Sequence, residues 1–541
     1  MTDTLAKQLI RRHDSLKADR SNWEHQWQQI AELVRPMQAD FTLTRARGER
    51  RGLEVFDGTP GLALDNLASG LWGMITNSAN TWFSLAHPDD EVNEDFEARR
   101  WMDRVQRIML DVFSADGQAF YSRALDVYAH MACFGTALMF VDEARPGRLR
   151  FSARPLSECC IAENDEEQVD TVFRRFDLTA RQAVQRWGSQ APERARKAME
   201  RDPEQRSTYL HAVYPNEDRM PSRLDARGKP WASVHVCVDS GEVVQTGGFD
   251  EFPYMVPRWS TMTRGVYGGS PAQLALSDIK TLNTMTKTFM VASQKAADPP
   301  ILAADENALT TLRLHPGGIT YGALDADGRP RIAPLDARGN FALTDAMLEQ
   351  RRTAVREAFY SSLLLMVQQP NATATEILAR QEEQLRLMGP HLGRIQSEFL
   401  DPLIGRVFNL LWRAGRLPPV PPALAASPIV QAEYVSPLAR AQKTSEARAV
   451  LQTVNAVLPL ADARPEVLDN FEWDEVAREL AHGFGTPSKL LRDPRVVAEE
   501  RAARAQAQAQ QAQAQQQIEA ARAAPGLARA ARDMGMTGAP A

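Results

Sequence analysis

Apolar residues near the start of the chain recur with a helical period. Leu5, Leu9, Leu16, Trp23, Trp27, Ile30 and Val34 follow one another at spacings of three, four and seven. That is the signature of one face of an α-helix and predicts an amphipathic helix over 4–34. Arg35–Pro36 ends it, because the residue before proline avoids the helical region. A second helix is predicted from Thr59–Pro60, a hydroxyl N-cap followed by proline at the first helical position, with Leu64, Leu67, Leu71 and Ile75 as its stripe. Further helices are expected at 94–113 and 118–134. From 136 to 260 the pattern shortens to strands: Ala137–Val141, Val169–Phe176, Tyr209–Tyr214, Ser233–Val238 and Tyr254–Trp259. Helical stretches at 179–187 and 192–200 interrupt them. The first half therefore reads as a mixed, helix-rich α+β unit.

The second half is mostly helical. Ser270–Pro271 repeats the cap-plus-proline start, and the helix is expected to run to Asp298, a rod of roughly 40 Å. Residues 300–340 are turn-rich, with a predicted hairpin of Ile319–Tyr321 and Arg331–Ala333 around Asp327–Gly328. A helix over 342–363 follows, then a polar loop, Gln368-Gln369-Pro370-Asn371. Thr373-Ala-Thr-Glu376 has the form of a capping box, in which the threonine accepts from a first-turn amide and the glutamate reaches back. Its helix continues through Leu385, Met388, Leu392, Ile395, Phe399, Leu403, Val407 and Leu410. Gly389–Pro390 should kink it, since proline removes one backbone bond and crowds the turn before it. Gly415 and a proline-rich connector close it, and another helix is expected at 436–459. Residues 501–524 hold 11 alanines and 8 glutamines. These favour helix, but their alternation makes no apolar stripe. Such a segment either packs against copies of itself or is partly disordered.

Composition narrows the function. The 541 residues carry a formal net charge of −6. That disfavours a protein that grips nucleic acid over a wide basic surface, though not one that lets DNA slide past. Cys133, Cys159, Cys160 and Cys237 form no C-x-x-C pair and read as reduced thiols. The N-terminus has no signal-peptide core, and no run approaches the ~18 apolar residues of a membrane span. The expectation is a soluble chain made in the cytoplasm, with no membrane partner.

No pattern for catalysis or a cofactor emerges. There is no phosphate-binding glycine loop, no zinc-protease helix and no nucleophile elbow. His235 and His391 read as structural. Gly247-Gly-Phe-Asp-Glu-Phe252 approaches the signature of diguanylate cyclases, but the inserted Phe249 breaks its spacing and would turn side chains to the other face. Glu163-Asn-Asp-Glu-Glu167 reads as a solvated turn. The expectation is a non-enzymatic protein with no metal and no cofactor.

The central segment carries a more specific pattern. Phe252-Pro-Tyr-Met-Val-Pro-Arg-Trp259, Tyr267-Gly-Gly-Ser-Pro271 and the run through Leu276, Asp278 and Leu282-Asn283 stand in order. Val55-Phe-Asp-Gly58 and Trp82-Phe-Ser-Leu85 precede them. Thr373-Ala-Thr-Glu376, Leu400-Asp-Pro-Leu-Ile404 and the proline-rich exit follow. Over residues 20–450 this series resembles the head-to-tail connector (portal) family of short-tailed bacteriophages. Gly58 stands where that family more usually has a small hydroxyl residue. Asn371–Ala372 stands where it has an apolar one.

The resemblance implies the portal fold of wing, stem, clip and crown, assembled as a dodecameric ring. Residues 1–265 would form the wing, 266–299 the first stem helix, 300–340 the clip and 341–363 the second stem helix. Residues 364–372 would be the tunnel loop, 373–415 the kinked long helix of wing and crown, and 416–487 the crown. Residues 488–541 would be a C-terminal helical barrel or a partly disordered tail. Implied partners are other copies of the chain, double-stranded DNA in the channel, terminase during packaging, tail and adaptor proteins, and the major capsid and scaffold proteins. The implied location is the head–tail junction of the virion, after assembly in the host cytoplasm. On the first stem helix Lys280 and Lys287 share a face and Lys295 lies close to it. Such a row can touch DNA in a channel, or be solvated or paired between subunits. The weak hairpin of 300–340 and the Ala/Gln segment both ask independently for an oligomer. The rival is another phage structural protein, a scaffold or tail component without a DNA channel. A scaffold would be more uniformly helical and charged, without the central strands.

Overall fold

The computed structural model describes residues 2–43, 46, 48–115, 119–145, 148–262, 265–303, 319, 324, 327–330, 332–334, 341–361, 387–424, 431–434, 437–461, 464–484, 486, 490–492 and 494–533. The chain divides into two compact units, one of residues 1–83 and 108–417, the other of 84–107 and 418–541.

The first unit is built around a five-stranded antiparallel meander of Cys159–Glu163, Val169–Thr179, Arg206–Pro215, Trp231–Cys237 and Glu242–Phe249, paired in that order. Side chains alternate between its faces. Phe173, Leu210, Ala212, Val234 and Val236 point one way and bury Ala6 and Leu9 of the N-terminal helix. Phe176, Tyr209, Cys237 and Val244 point the other way, against Ala183, Trp187, Ala191 and Ala195. With both faces covered, the sheet is a core element. A three-stranded sheet, in the order Arg148–Arg154, Leu138–Arg145 and Tyr254–Met255, supplies Phe140 and Tyr254 to the second face.

The N-terminal periodicity resolves into two helices, Thr2–Asp19 and Ser21–Val34, rather than one. Arg20 marks the break. Its buried guanidinium donates to the carbonyls of Leu156, Ser157 and Cys159 and pairs with Glu24. Helical spacing alone does not register such a turn, because the apolar stripe continues across it. Thr59 is likewise not the cap expected. The helix Thr59–Ile75 has no side-chain cap at Gly58, and Asp57 Oδ1 accepts from the Thr59 amide at 2.9 Å instead. This helix packs against Phe120–Phe134, where Thr76 Oγ1 lies 3.2 Å from the Tyr128 hydroxyl. Gly135 closes Phe120–Phe134 at φ 80°. A Cβ there would strike the backbone of Gly268, so the position requires glycine.

Other boundaries also moved. The Ser270 hydroxyl does cap a helix, accepting from the Gln273 amide at 2.9 Å. That helix is only Pro271–Leu274, and a second, Leu276–Ala297, follows Ala275. The strand Ile332–Pro334 pairs with Ile301–Ala303, and of the expected partner strand residues 320 and 321 lie outside the described residues. Leu324 bridges Pro330 around Gly328, at φ 74°. The strands Arg148–Arg154, Cys159–Glu163 and Glu242–Phe249 were not anticipated. The helix Ala180–Trp187 stands where expected, opened by a capping box of Thr179 and Gln182 whose spacing is itself a sequence signal.

The second unit is mostly helical. Pro437–Ala461 packs against Trp473–Gly483, joined by a 3₁₀ turn at Pro465–Asn470. The Trp101 indole donates to the Pro418 carbonyl at 3.1 Å. Pro494–Asp533 forms one 40-residue helix, exposed throughout 501–516. No helix among the described residues is long and apolar enough to cross a membrane.

Candidate functional site

Leu276–Ala297 buries Leu276, Ile279, Leu282 and Thr286, one stripe at spacings of three, three and four. It packs along Phe341–Ala358, which buries Leu348 and Val355. Polar groups fasten the two. Arg351 reaches Asp278 Oδ1 at 2.7 Å. Asp57, 7% exposed, accepts from the Thr59 amide, from Arg352 Nε at 3.0 Å and from Thr286 Oγ1 at 3.4 Å. Burial works to raise its pKa, but the Thr59 bonds and the Arg352 guanidinium outweigh it and hold the carboxyl below the usual range. Asn283 completes the joint. Its side chain accepts from the Phe56 amide at 2.7 Å and donates to the Glu54 carbonyl at 2.8 Å. Thus Val55–Gly58 and Leu282–Asn283, more than 200 residues apart in sequence, meet at one place. Neither Asp57 nor Asn283 is marked out by its local sequence, because nothing within a few residues of either says that they touch one segment.

Lys280 and Lys287 lie on the flank of the first helix that also carries Asn283, at helical spacings of three and four from it. Lys280 Nζ donates to Gln29 Oε1 at 2.6 Å. The Lys287 ammonium stands 5.0 Å from the Phe56 ring centroid and 3.8 Å from Glu54, with both charged groups more than half exposed. Lys295 is exposed in the last turn, where a cation suits the helix dipole. Exposed pairs of this kind are worth about 0–1 kcal/mol, so these contacts leave the ammonium groups available.

A second joint sits at Arg258–Trp259. Arg258, 4% exposed, binds Glu398 through its backbone amide and its guanidinium, at 2.8 and 2.9 Å, and Glu163 at 3.0 Å. His391 stacks on Trp259 with ring centroids 4.2 Å apart, one ring nitrogen 2.9 Å from the Trp259 carbonyl and the other 3.3 Å from the Tyr360 hydroxyl. Residues on both flanks of 362–386 therefore meet at Trp259. Gln368, Gln369, Pro370 and Asn371, with the capping pair Thr373 and Glu376, lie outside the described residues. Helix runs through Gly389 and Pro390 and then widens into a π turn at Gln396–Leu400, where the Asp401 amide bonds Gln396 five residues back. Pro402, which has no amide to donate, lies just beyond it.

The remaining candidates have structural partners. In the cyclase-like segment, Asp250 pairs with Lys229 at 2.8 Å and Glu251 with Arg413. Both carboxylates are committed to ion pairs. Asn164 Oδ1 accepts from the amides of Glu166 and Gln168, making the acidic stretch a side-chain-closed turn. All four cysteines are buried free thiols, and burial pushes Cys133 and Cys159 up to about 12. Among the described residues no three His, Cys, Asp or Glu side chains gather as a metal site.

The blocks that build both joints are those that carried the family resemblance, and residues 6–491 match the family model described as bacteriophage head to tail connecting protein. The chain belongs to that family. It is 31% identical over 524 residues to the portal protein of Salmonella phage epsilon15, covering 94% of this chain and 93% of that one. It is 30% identical over 514 residues to the probable portal protein of Bordetella phage BPP-1, covering 93% and 91%. Within this connector-family chain, buried Asp57 and Arg258, with half-buried Asn283 and Glu398, fasten segments that are far apart in sequence.

Proposed function

We propose that this chain is the portal subunit of a tailed phage. Copies close into a ring at one capsid vertex, and its channel passes double-stranded DNA into the head and later out of it. The observation that carries this reading is the family match along 6–491, joined to similarity over nearly the full length of two portal proteins. The fastened helix pair supports it. One face is sealed by apolar residues and by Asp57, while the lysine side chains on its flank stay exposed, as a stem helix beside a polyanion requires. In this reading residues 300–340 dock terminase and then tail proteins, and residues 364–372 project towards the DNA. Capsid and scaffold proteins surround the wing. The chain itself performs no chemistry, and an external ATPase drives packaging.

The test is direct. Purified protein viewed by negative stain should form rings with a central hole. Native mass spectrometry should find about 720 kDa for twelve 60.2 kDa chains, or one subunit either side. A protein monomeric at every concentration and salt would overturn the reading. Replacing Lys280, Lys287 and Lys295 by Gln should leave ring mass unchanged and lower the yield of nuclease-protected DNA in a packaging assay. Shortening Gln368–Asn371 to Gly-Gly should do the same to DNA retention.

A further inference from the structure

The five-stranded sheet has two outer strands, and their edges differ. The outer edge of Cys159–Glu163 is closed by side chains. Arg20 donates to the Cys159 carbonyl, and the Ile161 amide donates to the Tyr267 hydroxyl at 3.2 Å. Nothing comparable closes Glu242–Phe249. Its eight residues pair with Trp231–Cys237 on one side. On the other side no backbone amide or carbonyl of Glu242–Phe249 has a hydrogen-bond partner among the described residues.

The register says which groups are free. The Val238 amide bonds the Thr208 carbonyl, so even-numbered residues of Trp231–Cys237 face Arg206–Pro215 and odd-numbered ones face Glu242–Phe249. Ser233 and His235 therefore exchange bonds with Gly247 and Gln245. Thr246, exposed between them, turns its amide and carbonyl outward. Past the bulge at Val244, Val243 turns outward as well. Such an edge is a template for another strand. The bulge and the Glu242 charge limit indiscriminate pairing, but neither proline nor lysine stands on the strand.

A cationic groove lies where this strand begins. Arg194, Lys197 and Arg201 share one flank of the helix Glu193–Arg201, at spacings of three and four. With Ser240 and Glu242 they line an open groove of about 460 Å³. Lys197 is paired with Glu193 at 2.6 Å. Arg194 and Arg201 are exposed and make no ion pair among the described residues.

We propose that the outer edge of Glu242–Phe249 docks an extended segment of another protein, which adds to the sheet as a further strand and carries carboxylates at the end that meets the Arg194–Arg201 groove. Backbone bonds to Thr246 and Val243 would hold the segment, and the two arginines would set its direction. A second copy of this chain fits less well. Antiparallel pairing of two identical strands carries the partner's Glu242 towards Phe249, away from Arg194 and Arg201. The inference stands on one subunit and does not depend on the ring.

The experiment is binding of a labelled synthetic peptide to the full-length protein, read by fluorescence anisotropy. The peptide alternates threonine and valine and ends in a run of glutamates. It should bind saturably, and more weakly as salt is raised. Thr246→Pro should weaken binding at least roughly tenfold and leave the unfolding temperature near that of wild type, because an outward amide makes no bond within the sheet. Arg194→Glu combined with Arg201→Glu should reverse the preference, towards a peptide ending in lysines. The glutamate peptide with its backbone amides N-methylated should not bind wild type, which keeps the test open if Thr246→Pro fails to fold. Absence of saturable binding to wild type would overturn the proposal. So would equal binding of the N-methylated peptide, or wild-type affinity in a folded Thr246→Pro protein. A native mass that falls in Thr246→Pro before any peptide is added would mean that a second copy fills the edge, and would also overturn it.

Discussion

The five-stranded sheet and the helix Pro494–Asp533 are both long regular elements, yet they hide very different shares of their surface. On the sheet, alternate residues bury Phe173 and Val234 on one face and Tyr209 and Cys237 on the other. On the helix, every residue of 501–516 is exposed. The sheet's strands are held by cores on both sides. The helix is held by its own backbone and by exposed pairs such as Arg501–Asp474. Hydrogen bonding builds both elements, but apolar burial stabilises only the first. The first has its core within one chain, whereas residues 501–516 of the second bury nothing among the described residues and would gain a core only from another surface, as in the proposed ring.

The largest way to break the sheet is Phe173→Ala. The side chain is fully buried between the sheet and the N-terminal helix, so its loss should cost about 3–5 kcal/mol in denaturant unfolding. An effect below about 1 kcal/mol would mean that the N-terminal helix does not cover that face. Next is Asp57→Ala, which leaves the Thr59 amide without its acceptor and Arg352 with only the exposed Glu349 at the joint of the two long helices. It should cost about 1–3 kcal/mol. A hydrogen-exchange measurement should show faster opening in 276–297 and 341–358 than in the sheet.

The sheet should also respond to acid. His235 is held at about 3 and His211 well below its ordinary value, whereas both titrate near 6.5 when unfolded. Between those values the unfolded chain binds protons that the folded one refuses. Stability is therefore lost as pH falls from about 6.5 towards 3, by at most about 1.4 kcal/mol per pH unit for each histidine. His235→Gln should flatten the profile, and an unchanged slope would contradict the burial. The smallest effect belongs to the helix. Removing residues 494–541 should leave the main unfolding transition of the separated subunit within about 1 kcal/mol. A large drop would show that the helix already has a core of its own.

The legible parts share one physical property, which is that their signal is local. The helices at 94–113, 118–134, 179–187 and 192–200 appear as Phe96–Ser114, Phe120–Phe134, Ala180–Trp187 and Glu193–Arg201. Caps such as Ser270–Pro271 read correctly because their partners lie within one turn. The strand Arg148–Arg154 does alternate polar and apolar residues, but only over Arg148–Phe151, too short a run to stand out, and Gln and Gly dilute the pattern of Glu242–Phe249. Of the candidate residues, the lysine row was visible from spacing on one helix. Asp57, Asn283, Arg258 and Glu398 were not, because each is defined by a partner far along the chain.

Sequence by itself determined the family, the alternation of a strand-rich centre with long helices, and the lysines at helical spacing. Those follow from residue order and short-range periodicity. Tertiary structure alone decided that Arg20 breaks the first helix, that Asp57 rather than Thr59 serves the helix start at 59, and that Ile332–Pro334 pairs with Ile301–Ala303. It also stacked His211 on His235 and set Arg258 between Glu163 and Glu398. A buried charge takes its meaning from the groups that fold around it, and no stretch of sequence holds that information until distant strands are in register.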